Sequence, residues 1–60
     1  MVCGFWESGF YAYYTHCGPG WVQIRIVNRH GETWTRCVSP GTTELGSSWN
    51  ITRAWYERGC

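Results

Sequence analysis

The sequence predicts a small all-β domain, a sandwich or barrel of five or six short antiparallel strands stapled by two disulfides. Three observations carry that expectation. The chain has 60 residues and four cysteines. It contains an eight-residue stretch, Trp21 to Asn28, in which apolar and polar residues alternate. Turn signals recur every eight to twelve residues, the spacing of an all-β fold.

The length comes first. A chain this short buries only about 60% of the surface its unfolded form exposes, so it needs help beyond its core. Cys3, Cys17, Cys37 and Cys60 supply it. A zinc site needs cysteines two to four residues apart, whereas successive cysteines here are 14, 20 and 23 positions apart. His16 adjoins Cys17, but strand neighbours point to opposite faces and cannot share an ion. No metal and no cofactor are expected. Four cysteines allow three pairings. The most economical joins Cys3 to Cys17 and Cys37 to Cys60, so that each bridge closes a strand-turn-strand unit. Loops of this size contribute roughly 3 kcal/mol each on the loop-entropy model.

The elements follow in order. "FYAYYTH", Phe10 to His16, is β-rich and opens after Gly9. "WVQIRIVN" places Val22, Ile24 and Ile26 on one face and Gln23 and Arg25 on the other. "NRHGE", Asn28 to Glu32, is a turn in which Gly31 supplies a positive φ. "TWTRCV", Thr33 to Val38, returns to complete a hairpin. Turns follow at Ser39 to Gly41 and at Leu45 to Ser48. The last segment starts as a strand at Trp49, with Trp49, Ile51, Arg53 and Trp55 on one face and Asn50, Thr52, Ala54 and Tyr56 on the other. A short helix over Thr52 to Arg58 is the competing reading.

A disulfide framework implies an oxidising compartment. Met1-Val2 runs directly into Cys3, which reads as a secreted, mature form whose leader is removed and whose start methionine is added. No apolar run reaches the roughly 20 residues of a membrane span. Five arginines oppose four glutamates, with no lysine or aspartate, for a net charge of +1. That is not the basic stripe of a nucleic-acid binder.

The cysteine order, the hairpin between the second and third cysteines, and "CVSPGTTELG" from Cys37 to Gly46 resemble the tendamistat-type family of small secreted actinobacterial α-amylase inhibitors. The closing segment, with Ala54, Tyr56 and Cys60, is similar to that family's last strand. The resemblance implies a six-stranded antiparallel β-sandwich with neighbouring cysteines bridged in order. It also implies an inhibitory Trp-Arg-Tyr triplet on the first turn. The corresponding region here offers Trp6, Glu7, Phe10 and Tyr11 and no arginine, so the inhibitory residues do not carry over. The patterns "YYTHCG", "VQIRI", "PGTTELG" and "AWYERGC" are also similar to a group of small exported actinobacterial proteins, some associated with natural-product gene clusters.

The aromatics pose the functional question. Eleven of 60 residues are Phe, Trp or Tyr, five of them Trp. Val22, Ile24, Ile26, Leu45 and Ile51 are the large aliphatics placed in a core, so rings must complete it; Tyr13, Trp34, Trp55 and Phe10 are expected inside. The surplus must be exposed, and clustered exposed rings mark a contact surface. Phe5, Trp6, Tyr11 and Trp21 are the expected set. Arg25 and Arg36, on paired strands, are expected to share a side, either as a clamp for a carboxylate or planar ligand or as part of a solvated face. Catalysis has little support: there is no aspartate for a triad, the domain offers no deep cleft for a carboxylate pair, and His16 is the one weak acid–base candidate. "NIT", Asn50 to Thr52, fits a glycosylation acceptor but is discounted on the bacterial resemblance. Two functions remain. One is a binding module, most like a glycosidase inhibitor, whose partner is an α-amylase-like enzyme or a carbohydrate. The other is a small enzyme or auxiliary factor of natural-product biosynthesis that holds an aromatic or polyketide-like ligand, with a homo-oligomer interface supplying its pocket.

Overall fold

β-branched residues at alternate positions make Val22–Asn28 a strand with one wholly buried face. In the computed structural model, which describes residues 2–60, this is β3, and Val22, Ile24, Ile26 and Asn28 along it are buried. The other strands are β1 (Gly4–Ser8), β2 (Tyr11–His16), β4 (Thr33–Val38), β5 (Gly41–Ser47) and β6 (Ile51–Gly59). They form two three-stranded antiparallel sheets, ordered β1-β2-β5 and β4-β3-β6. There is no helix among the described residues, so the helical reading of Thr52 to Arg58 does not hold.

The sheets meet over a core of Ala12, Tyr14, Val22, Ile24, Ile26, Val38, Ile51 and Ala54, with Phe5 and Leu45 packed against it. Burial pushes the Tyr14 phenol above its usual pKa, and the nearby Tyr56 phenol adds to the shift. Disulfides join Cys3 to Cys17 and Cys37 to Cys60, with Cα atoms 5.8 and 6.2 Å apart. Each bridge closes one sheet's hairpin or its flank at the same end of the molecule, where Cys60 N–H donates to the Trp21 carbonyl at 3.1 Å.

Two expectations about strands are corrected. The break placed at Leu45 to Ser48 comes later, because β5 runs through Leu45 and Gly46 to Ser47 and the turn is Ser48 to Asn50. Strict alternation along the last segment also fails. β6 carries irregularities at two places: Ile51 and Arg53 face Asn28 and Val27, and Tyr56 and Arg58 face Ile24 and Gln23. Thr52 and Glu57 are therefore the extra residues of β-bulges. The first bulge brings Ile51 and Ala54, three positions apart, to the same buried face.

Ring placement differs too. Tyr13 is half-buried, while Trp34, Trp55 and Phe10 are exposed rather than core. Trp34 sits on an edge strand that the opposite sheet does not fully cover, Trp55 is on the outer face, and Phe10 is at a hairpin tip. Small residues take core positions instead: Ala12 and Ala54 are buried.

The β3–β4 turn is organised by Asn28. Its Oδ1 accepts the N–H groups of His30 (2.9 Å) and Glu32 (3.0 Å), and its Nδ2 donates to Glu32 Oε1 (2.8 Å). Gly31 takes φ +81°, as the turn requires. Replacing Asn28 with Ala leaves two backbone donors unpaired, and the expected cost is about 1–3 kcal/mol, read as a lowered urea midpoint at unchanged slope.

Candidate binding surface

The rings divide among three places. On the outer face of the first sheet, Trp6 lies opposite Tyr13 in the register and stacks on it, with centroids 4.5 Å apart and planes inclined by 21°. Its indole N–H donates to Thr15 Oγ1 at 2.8 Å, and Thr15 Oγ1 is 2.9 Å from Thr42 Oγ1. Trp6 thus covers buried Thr15, which meets exposed Thr42, and is half-buried itself. Phe5, opposite Tyr14, packs against the core. These two of the expected exposed set are therefore mainly structural. Tyr11 and Trp21 are exposed as expected. They do not form one patch: Tyr11 adjoins the β1–β2 turn, and Trp21 lies at the disulfide end.

The second place is the end of the sandwich opposite the disulfides. Three turns converge there. Ser48 N–H donates to the Phe10 carbonyl at 2.8 Å, and Ser48 Oγ donates to the Gly9 carbonyl at 3.2 Å. Arg29 N–H donates to the Asn50 carbonyl at 2.7 Å. The β1–β2, β5–β6 and β3–β4 turns are therefore tied into one surface. Its projecting side chains are Phe10, 84% exposed, Trp49, 69% exposed, and Arg29, whose guanidinium lies 3.8 Å from the Trp49 ring centroid. Sequence reading missed this set because its members come from three turns distant along the chain. The turn dipeptides Gly9-Phe10 and Ser48-Trp49 are the local signal that could have found it.

The third place is the outer face of the second sheet. Cross-strand partners share a face. Arg25 pairs with Thr35 and Trp55, whereas Arg36 pairs with Ile24. Arg25 and Arg36 therefore point to opposite faces and form no joint clamp. Arg25 Nε donates to Glu57 Oε2 at 2.6 Å and its Nη1 to Thr33 Oγ1 at 3.2 Å, while Gln23 Nε2 donates to Glu57 Oε1 at 3.0 Å. The Arg25 and Gln23 hydrogen bonds hold the Glu57 carboxyl below the usual glutamate range. Arg53 lies 5.1 Å over the neighbouring Trp55 ring.

His16 has a structural task. Its Nε2 lies 2.9 Å from the Gly20 carbonyl, so the ring donates there and pins the Gly18-Pro19-Gly20 loop. A Cβ at Gly18 would fall 3.1 Å from His16 Cε1, so glycine allows this close approach. Among the described residues there is no cavity and no cluster of three metal-ligating side chains. No helix is long and apolar enough to cross a membrane.

A family model matches residues 1–60. The chain belongs to DUF6355, a family of unknown function. No curated protein and no solved structure matches this DUF6355 chain.

The Glu57 contacts give a pH test. A depressed folded pKa stabilises the fold fully above the ordinary glutamate pKa, and that stability is lost as pH falls through the lower folded value. Urea midpoints of the wild type should decline over this acidic window. The Glu57→Gln variant should show a shallower decline; identical slopes would contradict the Arg25–Glu57 assignment.

Proposed function

We propose that the protein is a secreted binding module that docks its turn-bearing end into the active-site region of an α-amylase-like glycosidase. The observation that carries this reading is the Phe10, Arg29 and Trp49 set on three hydrogen-bonded turns. It has the same chemistry as the aromatic-arginine-aromatic triplet of the tendamistat-type inhibitors that the sequence resembles, assembled here from separate turns rather than from one. Aromatic and arginine side chains are the preferred anchors of protein interfaces. Turns fixed by backbone hydrogen bonds and a disulfide-bonded sandwich lose little freedom on docking. The exposed arrangement, with no cavity among the described residues, suits insertion into a partner's cleft rather than enclosure of a small molecule. The two disulfides support export to an oxidising compartment.

The test is inhibition of an α-amylase by the wild type and by Phe10→Ala and Trp49→Ala. Inhibition is expected at micromolar concentration. Each substitution should weaken it at least about tenfold, the loss of one aromatic anchor. Absence of inhibition by the wild type would overturn the reading.

A further inference from the structure

Four strand edges remain open in a pair of three-stranded sheets, and an open edge is a template for another strand. Three of the four are blunted. β6 is bulged at Thr52 and Glu57, and β5 carries an irregularity opposite Ala12 and Tyr13. β1 has only five residues and starts at Gly4, whose φ is +92°. β4 differs: it pairs with β3 over Thr33 to Val38 without a register shift, and all its residues but Val38 are exposed. It also holds a ring whose exposure is out of keeping with its position, as the bulged β6 does in Tyr56. Trp34 pairs with Ile26, so it lies on the core-side face, yet it is 39% exposed. Arg36, opposite Ile24, lies beside it on that face, and its hydrogen bond to the Glu44 carbonyl is long, at 3.5 Å.

We propose that β4 is a homodimerisation edge, pairing antiparallel with β4 of a second copy about a two-fold axis at Thr35. The strand is self-complementary in that register. A two-fold axis normal to the sheet must pass through a residue facing its own copy, because only then do opposed side chains fall on one face. Centring on Thr35 or on Arg36 gives the longest overlap. Centring on Arg36 sets like charges directly opposite each other, which is destabilising. Centring on Thr35 sets Trp34 opposite the second copy's Arg36, and Arg36 opposite the second copy's Trp34. Each pair is a cation–π contact, and both lie on the face where Trp34 is uncovered. Thr33 then lies opposite Cys37 of the second copy on the outer face. The two β3–β4 turns point in opposite directions, so the aromatic end of each copy stays free and the dimer is bivalent. An edge of six residues buries far less than a standard interface, so the association is weak and concentration-dependent.

Sedimentation velocity over a concentration series up to roughly 1 mM should show a reversible monomer–dimer equilibrium. Arg36→Glu should weaken dimerisation at least about tenfold without changing the circular dichroism spectrum, since removing the cation takes away both cross-strand pairs. Thr35→Cys tests the register: opposed residues have Cβ atoms about 4.5–5.5 Å apart, so air oxidation should give a covalent dimer with both native disulfides intact. Thr52→Cys, on the bulged edge, should not. A monomer throughout the series, or cross-linking of Thr35→Cys no faster than that of Thr52→Cys, would overturn the proposal. The dimer is independent of glycosidase docking, so Arg36→Glu should inhibit an α-amylase as the wild type does.

Discussion

The constraint on which the structure depends is the thinness of its core. Eight buried apolar residues, two of them alanine, hold two sheets together. A core of that size cannot by itself offset the conformational entropy of ordering a 60-residue chain. The disulfides act on the other side of the balance by restricting the unfolded ensemble. Both lie at one end and tie down Cys3 near β1 and Cys60 after β6, the two segments that would otherwise fray. The opposite end has no covalent tie and relies on hydrogen bonds among its turns. The molecule is thus fastened by sulfur at one end and presents its most exposed rings at the other.

Scarcity of aliphatics explains where the rings go. Two of the buried core positions, Ala12 and Ala54, are small, and no tryptophan among the described residues is in the core. Trp6 is accommodated outside by stacking on Tyr13 and capping the Thr15–Thr42 pair, so an outer face gains a second, half-buried layer. Arginine serves the same economy. It lies over Trp49 and Trp55, and as Arg25 it joins Glu57. All five arginines sit on β3, β4, β6 or the β3–β4 turn, while the first sheet carries only Glu7 and Glu44.

Much of the architecture was legible in the sequence, and the failures share a cause. The β3–β4 hairpin, the Gly31 turn and both disulfides could be read because each rests on local pattern or on spacing. The last segment could be read as opening in a strand, but the faces of β6 could not, because Thr52 and Glu57 bulge and a bulge leaves no trace in composition. With the alternation broken, Trp55 came to the outer face instead of the core. Trp34 lay on the correct face, but its exposure depends on how far the opposite sheet reaches, which is a tertiary fact. The aromatic end was hidden for the same reason: Phe10, Arg29 and Trp49 are brought together by hydrogen bonds between turns that are remote in the chain.

The most direct measurement of the central claim is thermal unfolding of the protein with its disulfides intact and after reduction and alkylation. The account predicts a cooperative transition in the oxidised protein and none in the reduced one, because two loops of this size contribute roughly 6 kcal/mol together and a domain of this length has little more to spend. A reduced, alkylated protein that still unfolds cooperatively near the same temperature would contradict it, since the eight-residue core would then suffice alone.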